Sequence, residues 1–170
     1  MKSNTGEGRQ ALQQARLLGV AGKVDEAIAA YEKLYGGVPD DVDVAIEYWT
    51  LVARLPARHS EGVSQLKQLN ASAPGNVSLL TSLAKQMFAD NKPQEGFAYL
   101  AEMARSASGR GIAADMWFSE VKSMPVSKAS VQALQQFLLQ FPTGSVAANA
   151  RVLLDQQQAQ LQDPPFRACS

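Results

Sequence analysis

Apolar residues recur at helical spacing, in paired stretches, along the whole 170-residue chain. Leu12, Ala15 and Leu18 share one face of a segment predicted helical over 10–19. Ala27, Ile28, Tyr31, Leu34 and Tyr35 do the same over 24–35. Gly22 parts the two helices. Asp25 and Glu26 fall in the first turn of the second, where the helix dipole favours acids. Gly36-Gly37 and Pro39 end it. The pairing then repeats. Val44, Ile46, Tyr48, Trp49, Val52 and Leu55 lead to Pro56, and Val63, Leu66 and Leu69 follow over 60–70. Leu79, Leu80, Leu83, Ala84, Met87 and Phe88 lead through Asp90-Asn91-Lys92-Pro93 to Phe97, Leu100 and Met103. Ile112, Met116, Trp117, Phe118 and Val121 lead through Met124-Pro125-Val126-Ser127 to Val131, Leu134, Phe137 and Leu138, with Ser127 or Ser130 as cap. A last helix is predicted over 145–161, and its polar end, 156–162, should face solvent. No strand-like alternation competes with these helices.

The second helices align in register. Ala27, Gly62, Gly96 and Ser130 are spaced by 35, 34 and 34 residues. Tyr31, Leu66, Leu100 and Leu134 keep that spacing, as do Leu34, Leu69, Met103 and Phe137, and Pro39, Pro74, Ser108 and Pro142. A small residue, two large apolar residues and a helix breaker at this period define the second half of a tetratricopeptide (TPR) repeat. The expected fold is all-α: a right-handed TPR superhelix of about four repeats plus a terminal helix. The expected bounds are a disordered leader over 1–8, repeats over 9–41, 42–75, 76–109 and 110–143, a terminal helix over 145–162 and a tail over 163–170. Trp49, Leu83, Trp117 and Arg151 form a first-helix column of period 34, beside Thr50, Ala84, Phe118 and Val152. Phe118 breaks a small-residue column and predicts looser packing or a changed crossing angle in repeat four. Glycine at 62 and 96 costs helix stability, about 1 kcal/mol each against alanine. That cost signals either close contact or local flexibility.

Charge and chemistry narrow the function classes. Sixteen basic and sixteen acidic residues cancel, so no nucleic-acid partner and no anionic membrane surface is expected. No apolar run is long enough for membrane insertion. Residues 1–8 lack the apolar core of a signal peptide, and the chain begins directly in a repeat, which predicts a segment of a longer protein. Cys169 is the single cysteine, and one thiol makes neither an intramolecular disulfide nor a zinc site. Asp40, Asp41 and Asp43 sit where a capped helix begins and match no calcium loop. His59, the only histidine, reads as a solvated loop residue with no nucleophile or orienting acid beside it. No enzyme activity, metal or cofactor is therefore expected. Trp49, Trp117, Tyr48, Phe88 and Phe118 either fill helix interfaces or offer stacking faces to sugar rings; base rates favour packing.

A repeat array is usually a binding surface. Register alignment places Arg16, Glu47, Arg54, Thr81, Lys85, Asp115, Ser119 and Lys122 on the concave, first-helix side. Mixed in charge, they suit an extended peptide or a polar polymer. Gly36-Gly37 and the run Ser108-Gly109-Arg110-Gly111, in which Ser108 replaces the proline of the other repeats, are expected hinges at Gly36, Gly37, Gly109 and Gly111.

Specific strings add a family resemblance. Gly8-Arg9-Gln10-Ala11-Leu12-Gln13-Gln14-Ala15-Arg16-Leu17 opens the first repeat. Glu47-Tyr48-Trp49 leads to Pro56-Ala57-Arg58; Gln65-Leu66-Lys67 leads to Asn70-Ala71 and Ala73-Pro74-Gly75-Asn76. Glu95-Gly96-Phe97-Ala98, Met124-Pro125-Val126-Ser127 and Asp163-Pro164-Pro165-Phe166-Arg167-Ala168 follow. In this order they resemble the periplasmic TPR region of the cellulose synthase operon protein C family, from about Gly8 to Ala168. The resemblance implies a periplasmic, non-catalytic scaffold segment. Its parent protein would be anchored by an outer-membrane β-barrel that exports β-1,4-glucan. The implied partners are cellulose synthase complex proteins, with the glucan chain or peptidoglycan as the alternative. A protein-binding TPR adaptor outside cellulose secretion is the remaining reading. Met1 to Glu7 and Cys169-Ser170 depart from the family pattern.

Overall fold

Five of the helices start where a side chain accepts from an orphan backbone N–H: at Thr5, Asp41, Asn76, Ser106 and Ser127. In the computed structural model, which describes residues 5–162, α1 spans Gly6–Val20, with the Thr5 hydroxyl accepting from Gly8 N at 3.0 Å. The helix therefore begins ahead of the expected residue 10, within the expected leader. Residues 1–4 of the expected leader and the tail over 163–170 lie outside the described residues. Next come α2, Val24–Tyr35, and α3, Val42–Arg54, which is capped by Asp41 through Val44 N. A single 3-10 turn, Pro56–Arg58, precedes α4, His59–Ser72. The helix α5, Val77–Ala89, is capped by Asn76. Beyond it lie α6 (Pro93–Met103), α7 (Ala107–Ser123), α8 (Lys128–Gln140) and α9 (Ser145–Gln162). Pro93 occupies the first turn of α6, where its missing N–H costs nothing. Ser127 and Ser130 act together at α8, each side chain bonding the other's backbone N–H in a capping box. All regular elements among the described residues are helical.

The chain forms two compact units, the first ending at Asp90 and the second starting at Asn91. This division falls in the turn of the third sequence repeat. In the first unit α1 packs on α2, α3 on α4, and α3 also meets α2 and α5. Tyr31, Val52, Leu66, Leu79, Leu80, Leu83 and Met87 are wholly enclosed. In the second unit α7 packs against α6, α8 and α9. There Leu100, Met103, Val121, Leu134 and Phe137 are enclosed. Within each unit, successive helices bury their apolar faces on one another, as in stacked helix-turn-helix repeats.

The small-residue column marks close contact at Gly62. A β-carbon there would lie 2.5 Å from Ala53 N and 2.7 Å from Ala53 Cα, so only glycine lets α4 approach α3 this closely. Gly36 caps α2 in the left-handed region, φ 74°, and Gly37 follows at φ 143°. Gly109 and Gly111 are a correction. They lie inside the first two turns of α7 and not in a break, because the Ser106 hydroxyl caps that helix by accepting from Gly109 N. Gly109 is buried, and a β-carbon there would meet Met103 O at 2.5 Å.

Two polar residues expected at the surface are engaged in the structure. His59 begins α4, with Nδ1 2.6 Å from Ala53 O and Nε2 2.7 Å from the Asp90 carboxylate. The ring thus ties the start of α4 to the end of α3 and to the end of α5. Gln157, within the polar run expected to face solvent, is only 4% exposed and bonds the fully buried Ser130 hydroxyl at 2.6 Å. Ser130 accordingly pins α8 to α9. Gln157→Ala should cost about 0.5–1.5 kcal/mol, the loss of one buried hydrogen bond, because the Ser130 hydroxyl keeps its bonds to the Ser127 backbone. Ser130→Ala should cost more than Gln157→Ala, because it also removes the acceptor of Ser127 N–H in the capping box, as read from urea midpoints of the two variants.

Candidate functional site

Residues of α1, α3 and α5 converge on a groove of about 580 Å³ in the first unit. Arg16 projects from α1 toward Glu47 on α3. Its Nε and Nη2 donate to the two carboxylate oxygens at 2.7 and 3.1 Å, a bidentate pair. Arg54 lies two turns further along α3 and donates from Nη1 to the Gly19 carbonyl at 3.1 Å. A cation at the C-terminal end of α1 is favourably placed in that helix's dipole. Thr50 and Ser82 hydroxyls meet at 2.8 Å and tie α3 to α5. Thr81 turns its hydroxyl back to the Val77 carbonyl of its own helix, at 2.8 Å. Lys85 is exposed on the groove wall. Tyr31 forms part of the floor. Burial, reinforced by the nearby Glu47 carboxylate, pushes its phenol up to about 12. The hydrogen bond to Glu47 likewise raises the Arg16 guanidinium above its ordinary value.

Five of the eight expected binding residues thus share one groove: Arg16, Glu47, Arg54, Thr81 and Lys85. Arg16 and Glu47 satisfy each other and act as a brace between helices. The side chains are 43% and 33% exposed, so the brace contributes little. Arg16→Ala should lower stability by less than about 1 kcal/mol, and a double-mutant cycle with Glu47→Ala should return a coupling of similar size. Asp115, Ser119 and Lys122 belong to the second unit, exposed on one face of α7. Lys122 there rests its ammonium 4.8 Å from the centroid of the Phe118 ring. Phe118 itself packs against Phe137, with centroids 6.1 Å apart.

The tryptophans are core residues. Trp49 and Trp117 are 8% and 3% exposed, and Trp117 Nε1 donates to the Ala133 carbonyl at 2.9 Å. Neither presents an open face for a sugar ring. The second unit carries its own cleft, of about 610 Å³, between α6 and α8. Glutamines line it, a feature that the repeat columns do not single out. The available signal was four of them on α8, at 132, 135, 136 and 140. Among the described residues no group of three or more His, Cys, Asp or Glu is placed to hold a metal ion. No helix there is long and apolar enough to cross a membrane.

No protein-family model matches the chain. It is 49% identical over 170 residues to cellulose synthase operon protein C of Salmonella typhimurium, covering 100% of this chain and 14% of that protein. It is 28% identical over 141 residues to the Xanthomonas axonopodis protein of the same name, covering 82% of this chain and 9% of that protein. Among solved structures, the flexible tandem repeat domain of a bacterial cellulose synthase component superposes with a TM-score of 0.77 at 50% identity, covering 96% of this chain and 67% of that one. The chain therefore spans about one seventh of the length of the Salmonella relative.

Proposed function

We propose that this chain, which belongs to the cellulose synthase operon protein C family, is a non-catalytic scaffold segment of the cellulose synthesis and secretion machinery. It works in the periplasm and links an outer-membrane export pore to synthase components. The groove of the first unit carries this reading. Arg16, Glu47, Arg54, Thr81 and Lys85 line an open surface with both charge signs, built on braced helices and not on loops. Such a surface suits an extended polypeptide, whose backbone and side chains supply both donors and acceptors. The groove lining holds one carboxylate, Glu47, already paired with Arg16.

The deciding experiment is a pull-down from periplasm-plus-membrane extract with this segment as bait. It is run beside sedimentation with insoluble cellulose and with peptidoglycan. Retention of synthase-complex proteins supports the scaffold. Retention of peptidoglycan alone would replace it with a wall-anchoring role.

A further inference from the structure

We propose that the cleft between α6 and α8 binds a stretch of uncharged β-1,4-glucan through the carboxamides of Gln94, Gln132, Gln135, Gln136 and Gln140. This rests on the segment's place in cellulose synthesis but concerns a different surface from the protein-binding groove. The cleft holds about 610 Å³, within the ~300–1,000 Å³ range of small-ligand sites. On α8 the four glutamines fall at intervals of 3, 1 and 4 residues, which puts them in one stripe about 12 Å long at 1.5 Å per residue. Gln94 faces them from the first turn of α6. All five are exposed, and none of their carboxamides is hydrogen-bonded to another described residue. Trp117 closes the bottom, fixed by its bond to Ala133 O.

The chemistry of this lining selects a ligand. A carboxamide donates and accepts at once and stays neutral at any pH, and a sugar hydroxyl has the same dual capacity. The described lining residues include no Asp, Glu, Lys or Arg, so a charged polymer would find no counter-charge. An extended peptide needs pockets for its alternate side chains. Here Ala98, Ala101 and Ala129 lie beside the larger Pro93, Phe97 and Met124, an apolar bed alongside the carboxamides. A flat ring polymer with hydroxyls along its edges fits such a surface.

The test is an NMR titration of the whole chain with cellohexaose. Chitohexaose, maltohexaose and an uncharged extended peptide serve as comparison ligands. Binding of cellohexaose should shift the glutamine side-chain amides of α8 and the Trp117 indole. The Gln132→Ala/Gln136→Ala variant should bind at least about fivefold more weakly, the effect of one or two lost hydrogen bonds. Both substitutions are at exposed helical positions, so the melting temperature should hold. No shift, shifts confined to other surfaces, unchanged affinity in the variant, or equal binding of any comparison ligand would each overturn the proposal. The scaffold reading fails separately: this variant should still retain synthase-complex proteins in the pull-down.

Discussion

Gly62→Ala should destabilise the protein by about 2 kcal/mol, although the same exchange in an open helix stabilises. The added β-carbon would sit 2.5 Å from Ala53 N and 2.7 Å from Ala53 Cα. Those are backbone atoms of α3 and cannot rotate aside, so α4 has to move off α3. Overpacking of this kind costs about 1–3 kcal/mol or more, against a helix-propensity gain of about 1 kcal/mol. The larger Gly62→Leu should cost more still. Gly111 supplies the control with the opposite sign. It is helical, and nothing lies within 4 Å of its β-position. Gly111→Ala should therefore stabilise by about 0.5–1 kcal/mol. Melting temperatures decide both: a fall of about 4–8 °C for Gly62→Ala and a rise of a few degrees for Gly111→Ala. A rise for Gly62→Ala would mean that the two helices are not in contact there.

Trp117→Ala should be the most damaging substitution in the second unit, at about 3–5 kcal/mol. The indole lies 4.9 Å from the Phe97 ring and 6.3 and 6.1 Å from Phe137 and Phe141, centroid to centroid. Its removal leaves a cavity among aromatic rings that cannot collapse without shifting α8. Trp117→Phe keeps most of the ring contact but loses the bond to Ala133 O, and should cost about 1–2 kcal/mol. Urea unfolding followed by near-ultraviolet circular dichroism would separate the two. A loss below about 1 kcal/mol for Trp117→Ala would show that this aromatic cluster does not hold the unit together.

The caps at the start of α3 and α8 were legible because each is set by residues within one turn of one another: Asp41 with Val44, and Ser127 with Ser130. The repeat columns also exposed the inter-helix contacts, since the same interface recurs at each period. What local pattern could not show is which distant polar groups meet. Arg16 and Glu47 are 31 residues apart, so two expected ligand contacts are in fact each other's partner. His59 finds Asp90 across the same sequence distance. Gln157 looks solvated within its own run and is buried only because Ser130 lies opposite. Gly109 resembles a flexible break until Ser106 is recognised as the cap that extends α7 over it. The glutamine cleft stayed hidden because neutral polar residues on the outer side of an amphipathic helix are also what ordinary solvation produces.

The scaffold account is tested most directly by photo-crosslinking from the groove in cells making cellulose. A photoreactive amino acid would replace Lys85 in the groove wall, and Ser64, exposed on α4, in a parallel strain. The account predicts a crosslinked protein of the synthase machinery from position 85 and none from position 64. Silence at 85 with a crosslink at 64, or equal products from both, would contradict it.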